Sequence, residues 1–183
     1  PFLERVLELD PGNLDVVRKL KRIYEHKHNQ EKLFALHLRE LAMVEGPARE
    51  GVVLAAAAMA RDRLLRHDEA LRLYQEAYRA NPALREAREN LHLLYARLER
   101  WSDYAAFLVD EIERPMPVKR RVELLLRLGE SRMARLGEAE GARREFERVL
   151  QLEPTDEIAS RRLEQVYLET SEIDDLHAMF QAR

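Results

Sequence analysis

Three phrases of the chain end in a proline at nearly equal intervals, and this periodicity constrains the fold more than any other feature. The phrases are FLERVLELDP (2–11), LYQEAYRANP (73–82) and EFERVLQLEP (145–154), whose prolines are 71 and 72 residues apart. The segments that follow them also align, at Leu20, Leu91 and Leu163 and at Tyr24, Tyr95 and Tyr167. Self-similarity at a fixed period is the sequence signature of repeat proteins. We therefore expect a structural unit of 71–72 residues that recurs along the chain.

Within each repeat, the apolar residues follow the period of an α-helix. The segment 91–98 has them at i, i+3, i+4 and i+7, on one helix face: Leu91, Leu94, Tyr95 and Leu98. β-Branched alternation is absent, and the seven prolines lie at breaks between apolar runs. The pattern predicts eleven helices, at 2–9, 14–27, 30–44, 47–65, 68–80, 84–98, 102–113, 118–135, 138–152, 156–169 and 172–182. Because the connections are short, neighbouring helices should run antiparallel and pack as stacked pairs.

Glycine, proline and capping residues mark several of these helix ends. Gly46-Pro47 indicates a stop followed by a proline in the first turn of the next helix, and Gly137 is a candidate C-terminal cap. Ser171 with Asp174 three residues later resembles a capping box in which aspartate replaces glutamate. These signals support the boundaries predicted from the periodicity.

The segment DEALRLYQEAYRANP (68–82) resembles the second helix and closing proline of a tetratricopeptide repeat (TPR). The small, aromatic, small and proline positions of that motif are occupied by Ala70, Tyr74, Ala77 and Pro82, and again by Ala142, Phe146, Val149 and Pro154. Leu128-Gly129 matches the Leu-Gly of the first helix. The resemblance covers essentially the whole chain. It implies an all-α fold, an α-solenoid, in the form of a right-handed TPR-like superhelix of about five antiparallel helical hairpins.

Alternate hairpins depart from the TPR pattern. Leu33 and Tyr104 replace the small residue, and one hairpin carries an extra residue between Gly129 and Ala142. The array therefore resembles the degenerate tandem arrays of large bacterial repeat proteins, and an arginine-rich, lysine-poor composition is compatible with such a source. We treat 1–183 as a single TPR-like array and a fragment of a longer protein. Its two-hairpin units span about 11–82 and 82–154, with a partial unit at 154–183.

Composition excludes several kinds of partner and site. The chain has no cysteine, which excludes disulfides and thiolate chemistry, and its net charge of −3 opposes attraction to nucleic-acid phosphates. No apolar run reaches the roughly 18–20 residues of a membrane span, and the longest, VVLAAAAMA (52–60), suits close helix packing. We expect no nucleic-acid partner and no membrane insertion of this segment. The compartment stays open, with the cytoplasm slightly favoured.

The sequence offers no catalytic constellation. His26, His28 and His37 could suggest a metal, but they lack a carboxylate at a diagnostic spacing and fit a solvated rim better. The glycines are scattered, so no phosphate-binding loop is formed, and the serines lack a nucleophile-elbow context. We therefore expect no enzymatic activity, no metal and no cofactor in this segment.

In TPR proteins the first helix of each hairpin lines a concave groove that binds extended peptides or helices. Transferring those positions gives the candidate partner-binding residues: Arg18, Arg22, Glu25, Met59, Asp62, Glu86, Glu89, Leu93, Arg97, Arg127, Glu130, Arg161 and Gln165. The familiar Lys/Asn clamp for a C-terminal carboxylate is absent at matching positions, although Arg18 with Arg22 could meet a carboxylate through forked hydrogen bonds.

The resemblance thus implies a protein–protein interaction scaffold that presents a concave groove to a peptide or protein partner. Two alternatives stay open. The array could be a structural spacer within a large multi-repeat protein, or the regulatory arm of an enzyme whose catalytic domain lies outside this segment. Trp101, the single tryptophan, aligns with Gln30 and Ile173, so we expect it to pack over a helix turn rather than to bind a ligand.

Overall fold

The computed structural model describes residues 2–170, and within that range the protein is all α-helical. The helices are α1 (Phe2–Leu9), α2 (Leu14–His26), α3 (Gln30–Leu41), α4 (Gly46–Asp62), α5 (His67–Ala80), α6 (Arg85–Arg97), α7 (Trp101–Glu113), α8 (Val118–Ser131), α9 (Ala139–Leu152) and α10 (Glu157–Thr170). A π-helical turn at Arg132–Leu136 continues α8. The first ten predicted helices are confirmed, with ends within four residues of the observed ones. The predicted helix 172–182 and the Ser171/Asp174 capping box lie outside the described residues.

Local side-chain contacts explain where several helices begin and end. The backbone N–H of Val16 donates to the Asn13 side chain, and that of Lys32 donates to the Asn29 side chain, each at 3.1 Å. Such caps satisfy amide groups that a helix leaves without an internal partner. The predicted stop at Gly46 is wrong, because α3 already ends at Leu41 and Gly46 instead opens α4, with the proline in its first turn.

The described helices form two compact units. The N-terminal unit ends at Leu98 and holds α1–α6, and the C-terminal unit begins at Glu99 and holds α7–α10 with the π-helical turn. In each unit, every helix packs against its neighbours in the sequence. The boundary at Leu98 falls inside a sequence repeat, so the division into two-hairpin units at 82 and 154 stays a prediction.

The TPR-like positions form the core of both units. Ala70, Tyr74 and Ala77 of α5 are buried in the N-terminal unit, and so are the alanines at the centre of the 52–60 run. Ala142, Phe146 and Val149 of α9 are inaccessible to solvent in the C-terminal unit. Small residues let neighbouring helices approach closely, and the aromatic rings between them add large buried apolar surfaces.

The end of α8 absorbs the extra residue that the sequence places between Gly129 and Ala142. The chain winds as a π-helix over Arg132–Leu136, and a π-helical turn holds one residue more than an α-helical turn. The turn closes at Gly137 in the left-handed conformation (φ 68°), where the Glu138 N–H donates to the Arg132 carbonyl at 2.9 Å. Gly137 is therefore a C-terminal cap, as predicted, although it caps the π-helical turn.

The end of α4 has a closely similar backbone, 72 residues earlier. The Leu64 N–H donates to the carbonyl of Met59, five residues back, at 3.1 Å, and the Arg66 N–H donates to the Ala60 carbonyl at 2.8 Å. Leu65 is left-handed (φ 55°) at the position that corresponds to Gly137. We call these two regions, 59–66 and 131–138, the widened helix ends.

Ion pairs fix the second widened end to the next helix. The Arg132 guanidinium donates to the buried carboxylate of Glu145 in α9 at 2.7 Å, and Arg148 donates to the other oxygen of Glu145, also at 2.7 Å. The Arg132 side chain also crosses closely over Gly141, where a Cβ would lie 3.0 Å from its Cδ. The π-helical turn therefore has a defined position against α9.

Alanine substitutions at two helical glycines should have opposite effects on the free energy of unfolding, because the surroundings of the two glycines differ. A Cβ at Gly129 would lie 2.5 Å from the ring of Phe146, which is fully buried and has no space to move. We expect Gly129→Ala to lower the free energy of unfolding by about 1–3 kcal/mol through overpacking. Gly51→Ala in α4 meets no atom within 4 Å and should raise it by about 0.5–1 kcal/mol. Urea unfolding of both variants provides the check, and equal effects would contradict this packing.

The widened ends predict a reciprocal effect of exchanging leucine and glycine. Leu65 holds a left-handed conformation that disfavours a side chain, and it is 66% exposed, so little packing is lost on its removal. Leu65→Gly should raise the free energy of unfolding by about 0.5–1 kcal/mol, and Gly137→Leu should lower it by about 1 kcal/mol. Thermal unfolding followed by circular dichroism measures both, and a destabilised Leu65→Gly would show that the turn is not strained.

Candidate interaction pockets

The N-terminal unit contains an open pocket of about 550 Å³ between α2 and α4, with α3 contributing to its lining. Its lining residues are Arg18, Lys21, Arg22, Glu25, Leu33, His37, Ala55, Ala58, Met59, Asp62 and Arg63. We call it the N-terminal pocket. Five of the residues predicted from the sequence line it together: Arg18, Arg22, Glu25, Met59 and Asp62.

A buried carboxylate organises the cationic wall of this pocket. Glu40 is only 4% exposed, and it accepts hydrogen bonds from Arg18 Nε at 3.2 Å and from Lys21 Nζ at 2.6 Å. Burial works to raise the pKa of Glu40, but the bonds from Lys21 and Arg18 outweigh it and hold the pKa below its usual value. Arg18 and Lys21 are thereby held in place, while Arg22 is exposed and forms no ion pair with the described residues.

His37 of α3 adds an ionisable group to the pocket. Its Nδ1 atom is buried and has no hydrogen-bond partner among the described residues. Burial, assisted by the nearby charge of Lys21, lowers the pKa of His37 to about 4, so the ring is neutral at pH 7. His37 was treated in the sequence as a rim residue, and the structure places it in the lining of the pocket.

The predicted residues of α6 lie on a different surface of the same unit. All four are exposed, and none lines the N-terminal pocket: Glu86, Glu89, Leu93 and Arg97. Their spacing along α6 places them on one face. Leu93 is 66% exposed, and Glu89 accepts a hydrogen bond from Arg85 at 2.6 Å.

The C-terminal unit contains a pocket of about 380 Å³, which we call the C-terminal pocket. Its lining comes from α7, α8, the π-helical turn and α10: Trp101, Tyr104, Arg127, Glu130, Ser131, Ala134, Arg135 and Arg162. The predicted Arg127 and Glu130 are among them. The predicted Arg161 and Gln165 do not line it. Both are exposed on α10, where Arg161 donates to Glu157, and Gln165 donates to Glu169 and accepts from the lining residue Arg162.

Trp101 is the first residue of α7 and is half-buried. Its ring lies 6.3 Å from that of Tyr104, and the guanidinium of Arg135 lies over it, 4.8 Å from the ring centroid. The tryptophan therefore packs at the start of a helix, and it also faces the pocket. This second contact was not expected from the sequence.

The two pockets are lined by residues at equivalent positions of two successive sequence repeats. Leu33 and Tyr104, from the second helices, are 71 residues apart, and Arg63 and Arg135, from the widened ends, are 72 residues apart. Each arginine contacts the first residue of the second helix: Arg63 donates to the Gln30 side chain at 3.1 Å, and Arg135 covers Trp101. The repeat therefore rebuilds one local arrangement with different side chains.

Comparison with solved structures reveals the architectural class. MamA AMB-1 superposes with a TM-score of 0.54 at 16% identity, covering 94% of this chain and 90% of that one. YrrB, described as a TPR protein with an unusual peptide-binding site, gives 0.52 at 14% identity, covering 98% and 89%. PilF of Pseudomonas aeruginosa gives 0.50 at 14% identity, covering 92% and 73%. The chain has a TPR-like fold. No protein-family model and no curated sequence matches it.

The TPR-like frame explains which pocket residues the sequence did not predict. Transferring the TPR motif positions to this sequence selects residues on the first helix of each hairpin, and some of these residues line the two pockets. It omits the second helices, which contribute His37 and Trp101, and the widened ends, which contribute Arg63 and Arg135. The alignment of Trp101 with Gln30, and of Tyr104 with Leu33, was the available signal for the second helices.

Residues 2–170 contain no group of three or more His, Asp or Glu side chains placed to hold a metal ion. No helix in that range has the length and apolar character to cross a membrane.

The neutral His37 predicts a specific dependence of stability on pH. Its folded pKa of about 4 lies below the ordinary value of 6.5, so its contribution is complete above pH 6.5 and is lost as the pH falls towards 4. Between pH 7 and pH 5, we expect the free energy of unfolding to fall by about 1 kcal/mol more in the wild type than in His37→Gln, after a discount for the partial exposure of the ring. Urea unfolding at both pH values measures this difference. Parallel losses in the two proteins would contradict a buried neutral ring.

Proposed function

We propose that this chain is a protein-interaction scaffold and that the N-terminal pocket receives an extended peptide segment of a partner. The observation that carries the proposal is the convergence of side chains from α2, α3 and α4 on one open pocket with both charge and apolar surface. A pocket with a few placed polar groups on rigid helices is the usual form of a binding site. The peptide-binding site described for YrrB supports the same use of this fold.

The charges of the pocket favour a segment with a carboxylate next to an apolar residue. Arg22 is exposed and has no ion pair with the described residues, so its planar donors are available for a forked contact with a carboxylate. Leu33 and Met59 supply an apolar surface beside it, and Glu25 and Asp62 repel additional acids. The pattern of charges therefore sets specificity more than total affinity.

The proposal extends to α6, which, like α2 and α4 in the same unit, is the first helix of a predicted hairpin. Its face with Glu86, Glu89, Leu93 and Arg97 is exposed and carries an apolar residue among charges. We propose that a longer segment continues onto this face. The spacer and the regulatory-arm interpretations stay as alternatives, and no catalytic activity is proposed for this segment.

Charge reversal in the pocket tests the proposal against a matched control. We would select unstructured peptides from a display library on the wild-type protein and measure their affinity by fluorescence anisotropy. Arg18→Glu with Arg22→Glu should weaken the selected peptides at least tenfold, since two favourable contacts become repulsive. Arg72→Glu with Arg79→Glu makes the same charge change on exposed positions of α5, outside the pocket, and should leave affinity within about twofold.

The two double variants separate recognition from a general effect of charge. Equal losses in both would indicate nonspecific electrostatics. If no peptide were selected by the wild type, or if the Arg18/Arg22 variant bound as the wild type does, the pocket would not be the binding site and the spacer interpretation would be favoured. Circular dichroism of each variant confirms that the helices are retained.

A further inference from the structure

The C-terminal pocket concentrates positive charge in a chain that is negative overall. Three arginines and one glutamate line it, whereas the whole chain carries a net charge of −3. We infer that this pocket binds an acidic segment of a protein partner by its side-chain carboxylates, with Arg127, Arg135 and Arg162 as donors. The inference extends the proposed scaffold role to the second unit, and it does not depend on the N-terminal pocket.

Arg135 is held in the pocket in a way that leaves its hydrogen-bond donors available. The guanidinium carbon lies over the Trp101 ring, 4.8 Å from the ring centroid, in a cation–π contact. The N–H groups of arginine point outward in the plane of the guanidinium, and they stay free to bond a carboxylate. Within residues 2–170 no carboxylate forms an ion pair with Arg135. A tryptophan therefore positions this arginine without neutralising it.

The other two arginines have partners that an acidic ligand can replace or join. Arg127 donates to the hydroxyl of Tyr104, which is neutral and leaves the charge of the guanidinium uncompensated. Arg162 bonds to Glu130 at 3.1 Å in a pair whose side chains are both more than 40% exposed. Exposed pairs contribute little stability, so Arg162 can be shared with an incoming carboxylate at small cost.

The separate anchoring of the three arginines favours several carboxylates over one phosphate. Arg127 is on α8, Arg135 on the π-helical turn and Arg162 on α10. Each has its own neighbour in Tyr104, Trp101 or Glu130, so the three guanidinium groups are anchored separately. A run of aspartate or glutamate instead offers one carboxylate to each guanidinium.

Comparison with the N-terminal pocket shows that this charge pattern is particular to the second unit. At equivalent positions, 72 residues apart, Ala55 is replaced by Arg127 and Asp62 by Ala134. Because Ala58 is also replaced by Glu130, one cation is gained and the number of anions at these positions is unchanged. In the N-terminal pocket, moreover, Arg18 and Lys21 are already bound to Glu40. The two pockets therefore differ in how their cations are held, since none of the three arginines of the second pocket bonds to a buried carboxylate of the described residues.

The fluorescence of the single tryptophan provides a direct measurement of ligand binding to this pocket. Trp101 is the only tryptophan in the chain and lines the pocket, so its emission reports on a ligand that moves Arg135. The probe is an end-blocked hexaglutamate peptide, titrated into the full chain at low salt, with hexaglutamine of the same length as the neutral control. We expect a saturable change in Trp101 emission with hexaglutamate and none with hexaglutamine.

Substitutions of exposed arginines then locate the binding site. Arg135→Gln and Arg162→Gln should each raise the Kd for hexaglutamate about tenfold, and Arg135→Lys, which keeps the charge but loses the planar fork, should give an intermediate loss. Arg144→Gln removes the same charge from an exposed position of α9 outside the pocket and should change the Kd less than twofold. All three positions bear polar side chains near solvent, and circular dichroism verifies the fold of each of the four variants.

Several results would overturn the inference. They are equal binding of hexaglutamine, an equal loss in Arg144→Gln, or a phosphoserine peptide that binds ten times more tightly than hexaglutamate. The Arg18→Glu, Arg22→Glu variant separates the two proposals. Its hexaglutamate titration should match that of the wild type even if the N-terminal pocket binds no peptide. If this variant lost the Trp101 response, the acidic peptide would bind in the N-terminal unit, which would contradict the inference.

Discussion

Each helix of this protein is too short to be stable alone, and it becomes stable only by burying one face against its neighbours in the sequence. Helices of 8–17 residues are marginal in water, so the tight packing between consecutive helices is what the rest of the structure depends on. The contact of Gly129 with Phe146 shows how close that packing is, since no methyl group fits between them. Because the packing consumes one face of every helix, the remaining faces are free to vary.

The widened helix ends connect this packing to the pockets. An inserted residue inside a helix normally rotates everything after it, yet both first helices keep their buried face and release the strain in the last turn. The residues of that turn, Arg63 and Arg135, consequently lie at the rim of a pocket rather than in the packed interface. An irregularity in the repeat therefore places an arginine at the same position in both pockets.

The fold was predictable from the sequence because its determinants are local. The buried residues Ala70, Tyr74 and Ala77 recur at spacings that sequence alone displays, and ten helices follow from them. The pockets were only partly predictable. Arg18 and Arg127 are on first helices at known motif positions, but Trp101 and Arg135 meet through side-chain stacking across two helices, which no spacing in the sequence encodes. The residues predicted on helix α6 are exposed but do not line the N-terminal pocket, so their role in binding stays a prediction.

The buried Glu40 has a further consequence for recognition. Its hydrogen bonds fix the rotamers of Arg18 and Lys21 before any partner arrives. A long cationic side chain normally loses rotamer entropy when it is immobilised in a complex, a loss of roughly 0.5–1.5 kcal/mol for each side chain. In this protein that loss is incurred during folding. A peptide bound as proposed would thus meet cations that Glu40 already holds, and discrimination between peptides would depend on their fit to those charges.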